Sequence, residues 1–598
     1  MSKNQKKLLP IDYTHREFET IQQDLLEIAE RFYPDSFQDF SEASFGALML
    51  DAVSYVGDQL SFYLDYNVNE SFLDTSFQYT NVVRHGAILG YKFAGRPSTY
   101  GSVALFILVP ATTTGIGPDT DYLPILKRGT SFSSDSGQSF VLTENIDFAS
   151  PKNTFVAARV DATTGAPTYY AVKAYGNVVS GQFGQERIPV GAFERFKSVT
   201  LLTQNVSEII SVFDTEGNEY FEVDYLVQDM IFKDVANSNY KNDNVPSILK
   251  PTLVSRKFIT QFNRDKVTLQ FGSGKMGTSN VIANPQNVAV DVFGKTYVTT
   301  TTFDPTRLSD NESFGIVPTN TTLIVTFRTT NGANSNTAVG SLNSVASTNF
   351  QFKDAQNLQT AKGANVRSSL EVNNEEPIMG DVSYPTTKEI KQRVYDTFPT
   401  QNRAVTQTDY ENIAYRMHPK FGAIKRVSVQ KDSDSQKRNL NMYVVSEDIA
   451  GKLTLCNSTI KNNLKTWLNQ YRMINDTVDI LDPYILNFGI EFIAKPQKMS
   501  DKYIVLDRCI AALKKHYAHP LFIGEALYIS DIYEVLKKVS GVLDVTKVKV
   551  YNKSGGAYST AGININENLS GDGSYMVVPK NAIMELKYPD VDITGKIR

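Results

Sequence analysis

Residues 44–69 read SFGALMLDAVSYVGDQLSFYLDYNVN, and this stretch predicts one long helix. With each residue set ~100° from the last, one side collects apolar side chains, namely Leu48, Met49, Ala52, Val53, Val56, Leu60, Tyr63 and Leu64. The opposite side is a narrow stripe of acids and hydroxyls, namely Asp51, Ser54, Asp58, Ser61 and Asp65. Three aromatic residues, Tyr55, Phe62 and Tyr66, lie between the two sides.

This apolar arc is too wide for a single buried face. It covers roughly two-thirds of the circumference, whereas the surface helix of a lone domain needs a stripe a little over ~100° wide. We therefore predict a partner interface made of Phe45, Leu48, Met49, Ala52, Val53, Val56, Gly57, Leu60, Tyr63 and Leu64. Gly57 is expected to mark a close helix contact, because glycine costs ~1 kcal/mol relative to alanine inside a helix. The acidic stripe is expected to face solvent, with an ion-pairing seam as the alternative.

Length and composition describe an ordinary folded protein. At 598 residues the chain exceeds the size of a single core, so several domains are expected. Its net charge of −4 gives no support to nucleic-acid binding. No apolar run approaches the ~20 residues of a membrane span, and no signal peptide is evident. With only Cys456 and Cys509 there is no disulfide framework, so a reducing cytoplasm is expected.

Changes in the pattern of residue types along the sequence divide the chain into four regions. Residues 1–95 form a helical arm that opens with a capping box at Thr14 and Glu17. Gly90 follows the arm's last helix as a left-handed cap. Residues 96–385 carry short β-branched runs, such as 296–303, and no convincing helix. Residues 386–552 alternate helices with strands, and 553–598 form an extended tail. The predicted fold class is α+β and multidomain.

Two stretches of the third region share one design. Thr408, Asp409 and Tyr410 open a helix that leads through Gly422 to a strand, and Asp531 opens one that leads through Gly541. Each is predicted to have a hydroxyl N-cap, at Thr408 and at Ser530. These residues form the signature of two small helix–strand modules.

Motifs that could indicate chemistry are explained more simply by structure. Gly272, Gly274 and Gly277 match G-x-G-x-x-G, but no helix follows to face a pyrophosphate. We interpret them as a structural turn with positive φ. His516 and His519 near Cys509 could hold a metal, but a His-x-x-His before a proline is more typical of a helix end. No enzyme activity, cofactor or metal is predicted, and both cysteines are expected to be core residues on helices.

Three groups of residues recur together in a known family. They are Asn69–Thr75 with Ile88–Tyr91, the run Leu269–Gly277 followed by the Asn331–Asn336 turn, and Ala404–Tyr410 with Gly422 and its strand. On these motifs the chain resembles the baseplate J-like family of contractile phage tails and related injection machines. Its length and its ending, residues 579–582 and 592–595, are similar to those of the large wedge subunits of myoviruses. Ser273 stands where simpler members carry an aspartate in an FGDG turn, so no role is assigned to that carboxylate.

The resemblance implies a structural protein of the virion, assembled in the host cytoplasm. Its subunits would pair, and their N-terminal helices would join a helix of another wedge protein in a bundle. The C-terminal modules would dimerise and close wedges into a ring around the tail hub, in contact with hub or sheath-initiating proteins. Conformational change in that ring would be linked to sheath contraction.

Two other functions stay open at this stage. A tail-associated glycan-binding or glycan-cleaving protein would use the β-rich region 96–385, although no acid/base pair can be selected from the sequence. An intracellular nucleotide-binding enzyme rests on the glycine run alone.

Overall fold

The computed structural model describes residues 16–33, 44–93, 95, 97–237, 247–263, 266–274, 314–330, 335–356, 358–432, 439–498 and 501–598. It confirms the predicted fold class, since helices precede a β-rich region and a mixed α+β region. The chain divides into two compact units. Unit 1 is Met1–Phe93 with Pro385–Pro399, and unit 2 is Ala94–Tyr384 with Thr400–Arg598.

The elements are numbered in chain order within the described residues. The helices are α1 Phe18–Phe32, α2 Phe45–Glu70, α3 Tyr79–Ile88, α4 Thr360–Ser368, α5 Thr387–Thr400, α6 Gln407–Tyr415, α7 Ser458–Leu468, α8 Lys502–His516, α9 Ile529–Lys537, α10 Ile565–Asn568 and α11 Pro589–Asp592. The strands before residue 400 are β1 Tyr100–Pro110, β2 Ile125–Leu126, β3 Ser131–Ser134, β4 Ser139–Leu142, β5 Ile146–Asp147, β6 Thr154–Val160, β7 Pro167–Ser180, β8 Gln182–Val190, β9 Ser198–Thr200, β10 Val206–Asp214, β11 Glu219–Glu222, β12 Met230–Ala236, β13 Ser247–Leu253, β14 Lys257–Asn263, β15 Lys266–Phe271, β16 Thr321–Thr329, β17 Leu342–Ser347, β18 Phe350–Gln351 and β19 Glu371–Asn373. The later strands are β20 Arg426–Lys431, β21 Asn439–Glu447, β22 Leu453–Leu455, β23 Thr477–Leu481, β24 Tyr484–Pro496, β25 Leu527–Tyr528, β26 Val542–Lys553, β27 Tyr575–Met576, β28 Ala582–Glu585 and β29 Ile593–Ile597.

Unit 1 contains a small core in which α3 packs on α5. Val82 and Tyr91 are buried against Ile390 and Val394. The helices approach closely at Gly86, where an added Cβ would lie 2.9 Å from Val394 Cγ2. The sequence placed residues 388–395 in the C-terminal region, whereas α5 supplies half of this core. The spacing of apolar residues shows that a helix has a buried side, but it does not show which part of the chain that side packs against.

The β-rich region of unit 2 holds two large sheets. The first sheet has the order β17-β3-β4-β7-β1-β19, and β6 also pairs with β7. The second sheet has the order β8-β16-β10-β11-β14-β15-β9. In the first sheet β1 and β7 are antiparallel, with Ala104 opposite Tyr175. A smaller sheet of order β18-β2-β5 lies in the same region, and β12 pairs with β13. The predicted strand at 296–303 lies outside the described residues.

In the part of region 96–385 that the structure describes, one α-helix interrupts the strands, although the sequence predicted no helix there. α4 reads TAKGANVRS and has one large apolar residue, Val366, which is fully buried. An amphipathic pattern cannot emerge from one apolar side chain, so tertiary packing determines this helix and propensity does not.

The C-terminal region folds around two further sheets. β21 lies between β20 and β22 and also pairs with β23, while β24 pairs antiparallel with β26 and parallel with β28 and β29. The residues predicted to be an extended tail therefore add strands to the sheet of β24, and Ile583, Met584 and Ile593 are buried there. The two regions of unit 2 are joined directly, since Asn457 Nδ2 donates to Tyr100 O at 2.6 Å.

Helix ends differ from the prediction where a side-chain cap was misplaced. α6 is capped by Thr406, with a capping box to Asp409, rather than by Thr408. α9 follows Tyr528 without a side-chain cap, so Ser530 is not an N-cap. The helix predicted at 455–474 spans Ser458–Leu468, and its start is fixed by Asn457, whose Oδ1 accepts from Ile460 N at 2.9 Å.

Candidate functional site

The helical arm places α1 on the small-residue side of α2. A Cβ added at Gly57 would lie 3.2 Å from Ile21 Cδ1 of α1. Ser54, one turn earlier, is completely buried, and its hydroxyl has no hydrogen-bond partner among the described residues. Small side chains allow helices to approach closely, so this side of α2 is where α1 fits. Gly57 is thus a close-contact point inside the arm, and it does not lie on the exposed face.

Polar contacts extend the same packing along the stripe. Gln22 Nε2 donates to Asp51 Oδ1 at 2.5 Å, and Arg16 forms an ion pair with Asp65 at 2.6 Å. Asp51 and Asp58 are half-buried. The prediction that the acidic stripe faces solvent therefore holds for Asp65, which is exposed, but not for Asp51 and Asp58. Of the alternative, an ion-pairing seam, the described residues show one pair, between Asp65 and Arg16 near the start of α1 of the same chain.

The broad apolar face of α2 is left exposed. Each of the other residues predicted for the partner interface is exposed, namely Phe45, Leu48, Met49, Ala52, Val53, Val56, Leu60, Tyr63 and Leu64. The exposed fractions of these side chains include 59% for Leu60 and 66% for Leu64. Tyr55, Phe62 and Val68 extend the same surface. We call this set of residues the apolar face.

The apolar face contains two parallel heptad seams. Met49, Val53, Val56, Leu60 and Tyr63 follow each other at alternating steps of four and three residues. Phe45, Leu48, Ala52, Tyr55 and Phe62 form the second series, in which Gln59 is a polar position that does not belong to the apolar face. At ~100° per residue the exposed arc, from Phe62 to Val68, spans about 240°. The charged residues of α2 lie outside both seams. Such an arc is about twice the stripe that one neighbouring helix covers.

Glu70 holds the turn between α2 and α3. Its carboxylate accepts from Phe77 N at 2.7 Å, from Gln78 N at 3.2 Å and from Asn81 Nδ2 at 2.9 Å. The Asn81 hydrogen bond and then the two backbone N–H groups lower the pKa of Glu70, against the effect of its burial. This role could not be predicted from the sequence, because Glu70 is the last residue of α2 and lies nine positions before the first residue of α3.

Gly90 ends α3 as the sequence predicted. It has a φ of 90°, and Tyr91 N donates to Gly86 O at 2.8 Å, which together form a Schellman cap. The third helix of the arm, α3, therefore has a defined boundary at both ends, with the Glu70 turn before it and the Gly90 cap after it.

The predicted turn at residues 272–277 has a different physical basis. Gly272 and Gly274 do not have positive φ. An added Cβ at Gly272 would lie 2.2 Å from Phe314 O, so this position requires glycine because another backbone passes close to it. Gly274 pairs with Ile316 in a parallel bridge. Gly277 lies outside the described residues.

The module signature residues are split between the surface and the core. Tyr410 and Gly422 are buried, whereas Thr408 and Asp531 are exposed. The glycines Gly422 and Gly541 have φ values of 96° and 95°, which fits their shared place between helix and strand. The likeness of the modules is therefore limited to this helix–glycine–strand order.

A buried arginine that the sequence did not reveal connects the two modules. The Arg426 guanidinium is 2% exposed and donates to Pro520 O at 2.8 Å and to Leu521 O at 3.3 Å. It also lies 4.5 Å from the centre of the Phe522 ring. One side chain of β20 thus contacts the loop before α9. No local pattern in the sequence marks this arginine as buried.

The cysteines are core residues, as expected. Burial raises the pKa of the Cys456 thiol to about 12 and that of Cys509 to about 11. Cys456 lies between β22 and α7, and not on a helix as predicted. Within the described ranges, no three His, Cys, Asp or Glu side chains come close enough together to hold a metal ion. Of the helices described, none combines the length and the hydropathy of a membrane span.

Comparison with known proteins relates the arm to one class of assemblies. Residues 14–88 match the family model "Bacteriophage baseplate protein, N-terminal domain". This match covers all of α2 and α3, and so the whole apolar face. No curated protein matches the chain.

Two solved structures resemble the chain weakly. One is the anti-feeding prophage baseplate, at 10% identity and a TM-score of 0.24, covering 94% of this chain and 90% of that one. The other is the type VI secretion TssK-TssF-TssG baseplate subcomplex, at 10% identity and a TM-score of 0.23, covering 73% and 95%. At TM-scores this low, neither superposition supports an inference about this chain.

Proposed function

We propose that this chain is a non-enzymatic wedge subunit of a contractile phage-tail baseplate. In this proposal the arm enters a helical bundle with other wedge proteins, and the C-terminal modules dimerise to close a ring around the tail hub. The ring would transmit its conformational change to the sheath. The protein would be assembled in the host cytoplasm and would reside in the virion.

One observation supports the proposal above the others. The segment that matches a phage baseplate domain is also the segment that leaves an uncharged apolar face exposed. Soluble monomers rarely expose contiguous apolar surface beyond a few hundred Å². A helix of 26 residues is ~39 Å long, so an uncovered side of it is a large surface. A permanent partner would bury it.

The two seams define what that partner looks like. A single neighbouring helix packs along one heptad seam, with its side chains between those of its partner. Two adjacent seams therefore accommodate two neighbouring helices in addition to α1. We expect these helices to present apolar a and d positions, because α2 offers no charge within the seams for an ion pair.

The experiment compares two methionines of nearly equal exposure. Met49 lies in the apolar face with 50% of its surface exposed, and Met473 lies in unit 2 with 46% exposed. The chain is purified alone and also co-expressed with its genomic neighbours, and the mass of each complex is measured. Hydroxyl-radical oxidation of both methionines is then quantified by mass spectrometry.

We expect Met49 to oxidise at a rate similar to Met473 in the free chain and to be strongly protected in the complex. Met473 reports any general loss of reactivity. Equal oxidation of Met49 in the free chain and in a complex of confirmed mass would contradict the proposed role of the arm. Failure to form any complex would contradict the wedge assignment itself.

A further inference from the structure

A cavity of ≈680 Å³ lies in unit 2 beside the short strand β18. It is lined by Lys127, Arg128, Asn145, Asn349, Phe350, Gln351, Phe352, Ala355 and Arg367. These residues come from the ends of β2 and β18, from the turn before β5 and from α4. Its volume is in the range of sites that bind small molecules or peptide side chains. Nothing in the proposed wedge function uses it.

The charge of the lining is one-sided. Lys127, Arg128 and Arg367 contribute three positive charges, and the lining contains no acid. None of the three forms an ion pair with a carboxylate of the described residues. Arg367 is positioned by the ring of Phe352, which lies 5.3 Å from its guanidinium carbon. Converging bases that repel each other and lack a counter-charge favour an anionic ligand.

The aromatic residues of the cavity argue against a sugar platform. Phe352 is 6% exposed and lies under Arg367, and Phe350 packs against the core of the first sheet. Phe352 therefore offers no free face on which a saccharide could stack, and Phe350 is half-buried against the core. By contrast, the carboxylates of a peptide can be bound by the three basic side chains and the neighbouring side-chain amides alone.

The backbone adds a second, independent feature. β18 is the terminal strand of its sheet, in the order β18-β2-β5. Lys127 N donates to Asn349 O at 2.9 Å, so that carbonyl points toward β2. Because successive residues of a strand direct their backbone groups to opposite sides, those of Phe350 point to the open edge. An open edge is a template for an added strand.

We propose that this cavity binds an extended acidic peptide segment of another protein, with its carboxylates on Lys127, Arg128 and Arg367 and its backbone along β18. The site is separate from the apolar face and does not depend on wedge formation. It gives the β-rich region an interaction surface of its own.

The test uses the full-length chain and a capped tri-glutamate peptide, with binding measured by isothermal titration calorimetry at low salt. The triple variant Lys127→Gln, Arg128→Gln, Arg367→Gln should bind about 100-fold more weakly, at about fivefold for each base. Arg128→Gln alone, at an exposed position, should weaken binding about fivefold and retain the fold. Arg187→Gln, an exposed arginine on β8, is the matched control and should bind as the parent chain does.

Three further probes separate the sources of negative charge. Tri-galacturonate carries the same number of carboxylates on a sugar backbone, inorganic phosphate is a free anion, and tri-glutamine is a neutral peptide. The proposal requires tri-glutamate to bind more tightly than each of them. Equal or tighter binding of tri-galacturonate or phosphate would overturn the peptide assignment, and no binding of tri-glutamate, or unchanged binding by Arg128→Gln, would overturn the site.

Discussion

Replacing Leu60 by aspartate tests whether the apolar face is an assembly surface. Leu60 is 59% exposed in the chain, and full burial of a leucine contributes ~1.5–3 kcal/mol. Covering the exposed part would therefore contribute about 1–2 kcal/mol to assembly. An aspartate at this position would lose that contribution and would also place a carboxylate in an apolar interface, which costs several kcal/mol.

The neighbours of Leu60 offer that carboxylate no compensation. Val56, Gly57, Tyr63 and Leu64, which lie one turn away on either side, carry no charge. We expect a total loss of ~4–6 kcal/mol, or about 10³–10⁴-fold in the dissociation constant. Leu60→Ala should lose about 2 kcal/mol, or ~30-fold. Folding of the free chain should change by no more than ~0.5 kcal/mol, because the site is exposed.

The assay is co-purification of the tagged chain with its genomic neighbours, with complex mass measured by native mass spectrometry and folding by circular dichroism. Leu202→Asp is the matched control, since Leu202 is 84% exposed in unit 2. The reasoning is refuted if Leu60→Asp assembles as well as Leu202→Asp while both remain folded. Unfolding of free Leu60→Asp would refute the claim that the face is uncovered.

Three further changes follow from the contacts described above. Ser54→Ala removes a buried hydroxyl without a described partner and should stabilise the arm by about 1 kcal/mol in thermal unfolding, whereas a loss of stability would reveal a partner for that hydroxyl. Because the pKa of Glu70 is lowered in the folded arm, its stabilisation is present above the unfolded value of 4.5 and is lost as pH falls through the folded value. Hydrogen exchange of α3 should therefore accelerate on acidification in the parent chain and much less so in Glu70→Gln, and identical pH profiles would contradict this role. Arg426→Met removes the buried donor to Pro520 O and Leu521 O, so it should cost ~2–4 kcal/mol in urea unfolding. A cost below that of Arg187→Met, an exposed control, would show that the contact is dispensable.

The sequence was a good guide to α2 but a poor guide to its surroundings. The predicted span 44–69 and the observed Phe45–Glu70 agree because the apolar period is long and regular and Ser44 supplies a cap, its hydroxyl accepting from Ala47 N at 3.0 Å. The side of α2 that α1 covers was misassigned, because the polar residues there were assumed to face solvent. Side-chain size determined the contact instead, since Gly57 and Ser54 let α1 approach where the larger apolar residues would not.

The positions that the sequence did not reveal depend on contacts between distant segments. Arg426 donates to a carbonyl that lies nearly a hundred residues further along the chain. Similarly, α5 packs against residues of α3 that lie about three hundred positions earlier. Gly272 was predicted to be a turn glycine with positive φ, whereas it lacks positive φ and is crowded by the backbone of Phe314. Local pattern detects periodicity and caps, but not the neighbour that a fold brings in from elsewhere.

The order in which the ribosome makes this chain has a consequence for the arm. Tyr395 of α5 hydrogen-bonds Asp74 across a separation of 321 residues. At ~5–20 residues per second, translation of that interval takes roughly a quarter of a minute to a minute. The first ninety residues thus wait for their last helix while the intervening domains are synthesised. The core that joins α3 to α5 can therefore close only after the ribosome has passed residue 399, while residues 400–598 of unit 2 are still to be synthesised.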